Sequence, residues 1–163
     1  MADDDGAALA ALIREIEDQE RRLTFARFDN DDAWALGTLL VRRAREQGLA
    51  VTIDVRRHGQ QLFHAALPGT TADNDSWIER KVRVVDRFDA SSYLVGRRLA
   101  HTGDVLDHDK GLDPAAYAAH GGAFPVRVRD VGLVGTVTVS GLPQAADHAF
   151  VVQVLEEFLG AAT

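Results

Sequence analysis

HGGAFPVRVRDVGLVGTVTVSGLPQAADH, residues 120–148, reads as a β-hairpin followed by a tight loop and the start of a helix. Gly121 and Gly122 open the first strand, and Gly132 closes the turn. Gly135 sits inside the second strand, where a missing side chain costs stability unless another backbone or a ligand needs the space. A loop at residues 129–132 sets Val128 opposite Leu133, Val126 opposite Gly135 and Phe124 opposite Val137, which keeps the large apolar residues together. Pro125 cannot donate to a ladder, so this strand lies at an edge or is irregular.

The segments before the hairpin carry complementary patterns. Leu9, Leu12, Ile13 and Ile16 recur at helical spacing over residues 7–20, behind an acidic front at Asp3 to Asp5 that suits the positive end of a helix; residues 1–6 are expected to fray. LTFARF, residues 23–28, reads as a short strand or an extended linker. Asp29 or Asn30 caps a helix with an apolar face at Trp34, Leu36, Gly37, Leu40, Val41 and Ala44, ending at Gly48. AVTIDVRR, residues 50–57, alternates Val51, Ile53 and Val55 against Thr52, Asp54 and Arg56. His58-Gly59 then supplies a two-residue turn. In that register Val55 opposes Leu62, Ile53 opposes His64, Arg56 opposes Gln61 and Asp54 opposes Phe63, which puts His64 on the apolar face; a longer loop would reverse its side.

Ser76 and Glu79 form a capping box for the next helix. Its apolar rows are Ile78, Val82, Val85 and Trp77, Val84, Phe88, with Lys81 at the edge, while Arg80, Arg83 and Arg87 form a basic stripe. SSYLVGRRLA extends or restarts this helix after a break at residues 89–91. Asp113-Pro114 begins a short helix, and a last helix covers residues 145–160. Every strand and helix has one apolar side, so a single α+β domain over residues 1–163, one antiparallel sheet with helices packed on it, is the economical assembly.

Composition narrows the functions. A chain of 163 residues buries a sizeable core without a staple. The absence of cysteine excludes disulfides, thiolate catalysis, cysteine-ligated zinc and iron–sulfur clusters, and suits a reducing cytoplasm. The formal charge of −7 disfavours general nucleic-acid binding. The start lacks the basic-then-apolar order of a secretory signal, and no run reaches the ~18 apolar residues of a membrane span.

Several clusters could carry chemistry. His120, Gly121, Gly122, Ser140 and Gly141 could offer backbone amides to an anion, and Asp147 with His148 could act as an acid–base pair; the same residues also serve turn geometry and a helix cap. Ser140 lacks the strained context of a hydrolase nucleophile. Arg80, Arg83 and Arg87 could grip a carboxylate or phosphate, form a solvated face in which Glu79 pairs with Arg83, or line a subunit interface. His101, Asp104, Asp107, His108 and Asp109 match no metal-ligand spacing, so no metal site is expected. His64, His120 and His148 are the possible haem ligands, although a histidine on an apolar face is more often hydrogen-bonded in place. Met1, the sole methionine, offers no internal thioether.

DVRRHGQQLFHAALPGT, DNDSWIERKVRVVDRF with SSYLVG, and YAAHGGAFPV with GTVTVSGLPQAADH resemble an uncharacterised soluble branch of the haem-degrading-domain family. That family includes GlcG-like and HbpS-like proteins and the C-terminal domains of some corrinoid adenosyltransferases. The resemblance implies a roughly five-stranded antiparallel sheet with helices on it, and dimers or larger homo-oligomers. The family's pattern falls on Asp54, Lys81, Gly121 with Gly122, and Val139 to Gly141 with Asp147, as pocket residues or their supports. The first expectation is therefore a cytoplasmic homo-oligomeric binding domain for a small anionic or haem-like ligand, with haem a possible cofactor. Arg80, Lys81, Arg87, His120, Gly121, Gly122, Ser140 and Gly141 would contact that ligand. An enzyme acting on a small anionic metabolite through Asp147 and His148, and an adaptor without chemistry, are the alternatives; neither nucleic acid nor membrane is an expected partner.

Overall fold

Four strands build one antiparallel sheet in the order β2-β1-β4-β3, with β1 at Thr52–Arg57, β2 at Gln60–Ala66, β3 at Ala123–Val128 and β4 at Gly132–Ser140. The coordinates are a computed structural model that describes residues 2–161. Five α-helices accompany the strands: α1 Ala2–Arg22, α2 Asn30–Glu46, α3 Ala72–Phe88, α4 Ser92–Thr102 and α5 Gln144–Ala161. Of the front expected to fray, Met1 lies outside the described residues.

Side-chain alternation divides the sheet into unlike faces. Ile53, Val55, Phe124, Val126, Val137 and Val139 join α2 and α5 in the main core, where full burial of each such side chain is worth about 1.5–3 kcal/mol. The opposite face carries Thr52, Asp54, Thr136, Thr138 and Ser140, all buried, and α3 packs across it. Cross-strand pairing aligns these polar residues as Thr52 with Ser140, Asp54 with Thr138, and Arg56 with Thr136. A second apolar cluster joins Ile16 of α1, Val84 of α3 and Tyr93, Leu94 and Val95 of α4.

Gly135 answers the question its sequence position raises: a Cβ there would sit 2.0 Å from the Arg56 carbonyl oxygen, so the space belongs to the backbone of β1. Phe124 meets Val137 and Val126 meets Gly135, but a register shift after Val126 then sets Arg127 opposite Leu133 and Val128 opposite Gly132. β3 is an edge strand, as Pro125 requires.

The expected five strands become four because residues 23–28 supply only an isolated parallel bridge, Phe25 to Val128. The Asp29 capping box, reciprocal with Asp32, starts α2 at once and leaves no length for pairing. A bulge between Val55 and Arg56 overturns the expected β1–β2 register: Arg56 still meets Gln61, but Val55 meets Phe63 and Asp54 meets His64. His64 thus shares the polar face with Asp54 rather than the apolar one. Packing explains the slip, since Phe63 lies against the bare backbone of Gly37, where a Cβ would be 2.2 Å from its ring, and meets Trp34 edge-on at 5.6 Å.

Two helix starts also differ from expectation. Thr71, not Ser76, caps α3, with Asn74 completing the box. Asp113-Pro114 forms only a turn closed by the Ala116 and Tyr117 N–H groups on the Asp113 carbonyl, while a single 3₁₀ turn forms upstream at His108–Lys110. α4 restarts the chain after Asp89 in a left-handed conformation, with Ser91 as cap.

Candidate functional site

The early start of α3 decides what faces the polar end of the sheet. With Thr71 as cap, Asn74, Trp77 and Lys81 fall at i, i+3 and i+7 on one helical face. They meet His120, Ser140, Gly141, Leu142, Gln144 and Asp147 around a pocket of about 290 Å³. Five of the expected residues, Lys81, His120, Ser140, Gly141 and Asp147, therefore converge. Asn74, Trp77, Leu142 and Gln144 were not anticipated, and the Thr71–Asn74 cap was the signal that could have found the first two.

Lys81 is 3% exposed and Asp147 1% exposed. The Lys81 Nζ donates to Asp147 Oδ2 at 3.1 Å and to the Val139 carbonyl at 3.3 Å. Asp147 Oδ1 accepts from the Leu142 N–H at 2.9 Å, and the Gly141 N–H also favours its carboxylate. Burial pulls the Lys81 ammonium below its ordinary range and pushes the Asp147 carboxyl above its own; their mutual attraction opposes both changes. Gly122 makes room for the pair, since a Cβ there would lie 2.3 Å from the Val139 carbonyl and 2.8 Å from Lys81 Nζ, and its φ of +135° disfavours any side chain.

Two of the amides expected to cradle an anion are already engaged. The Gly121 N–H donates to Gln144 Oε1 at 3.2 Å, and those of Gly141 and Leu142 serve Asp147. What faces the pocket is a set of side-chain amides and a hydroxyl, with Asn74 Nδ2 at 3.5 Å from Ser140 Oγ. A second chamber of about 290 Å³ shares His120 and is lined by Arg80, Leu99, Val105, Leu106, Tyr117 and neighbouring alanines. His120 meets Trp77 edge-on at 5.3 Å. Burial, then the charges of Lys81, Arg80 and Arg97, hold its imidazole below the ordinary histidine range and favour the neutral ring.

The basic stripe has a different use. Arg80 donates to the Pro114 carbonyl, Arg83 to that of Ala116, and Arg87 to those of Gly111 and Lys110. These arginines strap the segment before β3 onto α3, and Glu79 pairs with Arg56 instead of Arg83. Arg87 lines neither chamber. Arg87→Met is expected to raise the rate of Lys-C cleavage after Lys110 roughly fivefold or more, because the opened segment is what the protease meets; unchanged cleavage would show that the strap contributes nothing.

His148 and His64 stand apart from the pocket. The His148 Nε2 bonds Gln19 Oε1 at 2.7 Å, with Tyr93 and Phe124 at centroid distances of 4.8 and 5.9 Å. Asp147, one residue earlier, turns to Lys81, so the two point into different environments. His64 Nε2 lies 2.7 Å from Asp75 Oδ1. Asp104 and Asp107 pair with Lys110. Among the described residues no helix is long and apolar enough to cross a membrane.

The profile of the family described as haem degrading protein HbpS-like matches residues 28–156. A UPF0303 protein of Streptomyces coelicolor is 60% identical over 154 residues, spanning 94% of this chain and 98% of its own. The crystal structure of Ybr137w protein superposes with a TM-score of 0.85 at 31% identity, over 93% of this chain and 90% of that one. A crystal structure reported as a PduOC:heme complex shares the fold, with a TM-score of 0.66 at 17% identity over 80% of this chain and 94% of that one. On the extent of these matches, the chain belongs to the haem degrading protein HbpS-like family.

Proposed function

We propose that the chain binds a haem-like ligand, a planar ring bearing carboxylates, beside His120. The position of His120 carries this reading: it borders both the polar and the apolar chamber. Among the described residues its ring makes an edge contact with Trp77 and no hydrogen bond. A neutral imidazole is the form that ligates iron, and burial, then the charges beside His120, favour that form.

The surrounding residues fit the rest of such a ligand. Leu99, Val105 and Leu106 line the apolar chamber, and Trp77 offers an aromatic surface in the polar one. The Nε of Arg80, which lines the apolar chamber, is buried without a partner among the described residues, leaving a donor for a ligand carboxylate. Bound haem would supply an iron centre; the chain's part is to orient it and to limit water around it. The family and the haem-containing fold neighbour support the class of ligand.

Titrating the protein with hemin tests this. A shifted Soret band is expected, and His120→Ala should remove the shift and weaken binding about tenfold or more, while His64→Ala leaves both unchanged. An unaltered spectrum in His120→Ala would reject His120 as the ligand. Self-assembly and a cytoplasmic setting belong to the same proposal. Fractionation of the source cells tests the setting and native mass spectrometry of the purified protein tests assembly; recovery outside the cytoplasmic fraction would count against the first, and a bare single-chain mass against both assembly and a retained ligand.

A further inference from the structure

The chain has only two lysines beside sixteen arginines. Lys110 is exposed and held by Asp104 and Asp107. Lys81 is the one buried Lys or Arg among the described residues. Position 81 therefore carries a buried amine in a chain whose other cations, Lys110 apart, have guanidinium side chains. The two differ in chemistry: an arginine keeps its proton under all ordinary conditions, whereas a buried lysine can lose it and become a nucleophile.

The surroundings suit that change. Lys81 borders the pocket of about 290 Å³. A carboxylate stands 3.1 Å from its Nζ, within the range for direct proton transfer. Burial already lowers the affinity of the ammonium for its proton and raises that of the carboxylate. Asn74, Ser140, Gln144 and His120 border the same space with hydrogen-bonding groups for a carbonyl compound.

We propose that Lys81 forms an imine with a small aldehyde or ketone in this pocket, with Asp147 moving the protons. Asp147 takes a proton from the Lys81 ammonium, the free amine adds to the carbonyl carbon, and one proton then passes from the amine nitrogen to the former carbonyl oxygen. The resulting carbinolamine loses its hydroxyl as water, using the proton held by Asp147. The products are a protonated imine and one water, with no oxidant or reductant consumed. The iminium carries the same charge as the original ammonium, so the Asp147 carboxylate faces a cation both before and after the reaction. This reaction does not depend on haem binding.

The test uses haem-free protein at pH 7 with glyoxylate or glycolaldehyde and sodium cyanoborohydride, which reduces an iminium to a stable secondary amine. Peptide mapping then compares Lys81 with Lys110, the internal reference. Lys81 is expected to be modified roughly tenfold or more faster than Lys110, saturably in the carbonyl compound, and Asp147→Asn should slow it by about the same factor. Lys81→Arg should abolish the pocket adduct and leave labelling of Lys110 unchanged. Equal labelling of the two lysines, or adducts confined to Lys110 and the N-terminus, would overturn the proposal. Full-rate labelling in a folded Asp147→Asn variant would remove Asp147 from the mechanism.

Discussion

Lys81→Met is expected to lose about 3–5 kcal/mol of stability in equilibrium urea unfolding, because it leaves the buried Asp147 carboxylate without its counter-ion. The cost arises from the orphaned charge more than from the lost attraction. Replacing both members should therefore recover much of it. In Lys81→Met with Asp147→Asn, the asparagine oxygen can still accept the Leu142 N–H that Asp147 now accepts, and no charge is buried. The double variant should be more stable than Lys81→Met alone, with a coupling energy above about 1 kcal/mol. Strict additivity, or a loss below about 1 kcal/mol for Lys81→Met, would show that the pair contributes little to holding α3 against the β4–α5 junction.

The convergence on this pair was partly legible in the sequence. Glycines at 121, 122 and 135 announced close approaches, and all three involve backbone: Gly121 makes room for the Gln144 carbonyl, Gly122 for that of Val139 and Gly135 for that of Arg56. The hairpin pairs nearest the sheet centre follow from matching large apolar residues. The pairs nearest its turn do not, because a bulge adds a residue without any local composition that marks it. The side of His64 was lost for the same reason, and the deciding contact lies elsewhere, in Phe63 against Gly37.

Long-range polar contacts were the least legible. The arginine stripe was visible, but its acceptors are backbone carbonyls about thirty residues later, which any residue type can supply. The polar face under α3 was readable as alternation, yet alternation suggests solvent on that side. Here a helix covers it instead, and the hydroxyls of Thr52, Thr136 and Thr138 are buried without a partner among the described residues. A covered polar face loses part of the energy that an apolar one would contribute. It also leaves room for polar groups at its end, where Ser140 borders the pocket.

Stability should fall as pH falls through the window between about 6.5 and 4, and His148 is the main cause. Burial alone depresses its imidazole from 6.5 to about 4, since Tyr93, Phe124 and Gln19 surround it without a carboxylate to favour the cation. Within that window the unfolded chain binds a proton at His148 and the native chain does not. Stability therefore rises with pH there, is fully present above about 6.5, and is lost by about pH 4, a change of about 3 kcal/mol. Glu20, Asp86 and Asp147 have the opposite sense, because burial raises their carboxyls in the native state and acidification favours them. The difference between the parent and His148→Phe isolates the histidine. The variant leaves Gln19 without its partner and should be less stable at pH 7, but its unfolding free energy should vary about 3 kcal/mol less between pH 7 and 4. Parallel curves for the two proteins would show that His148 takes up its proton without leaving the packed core.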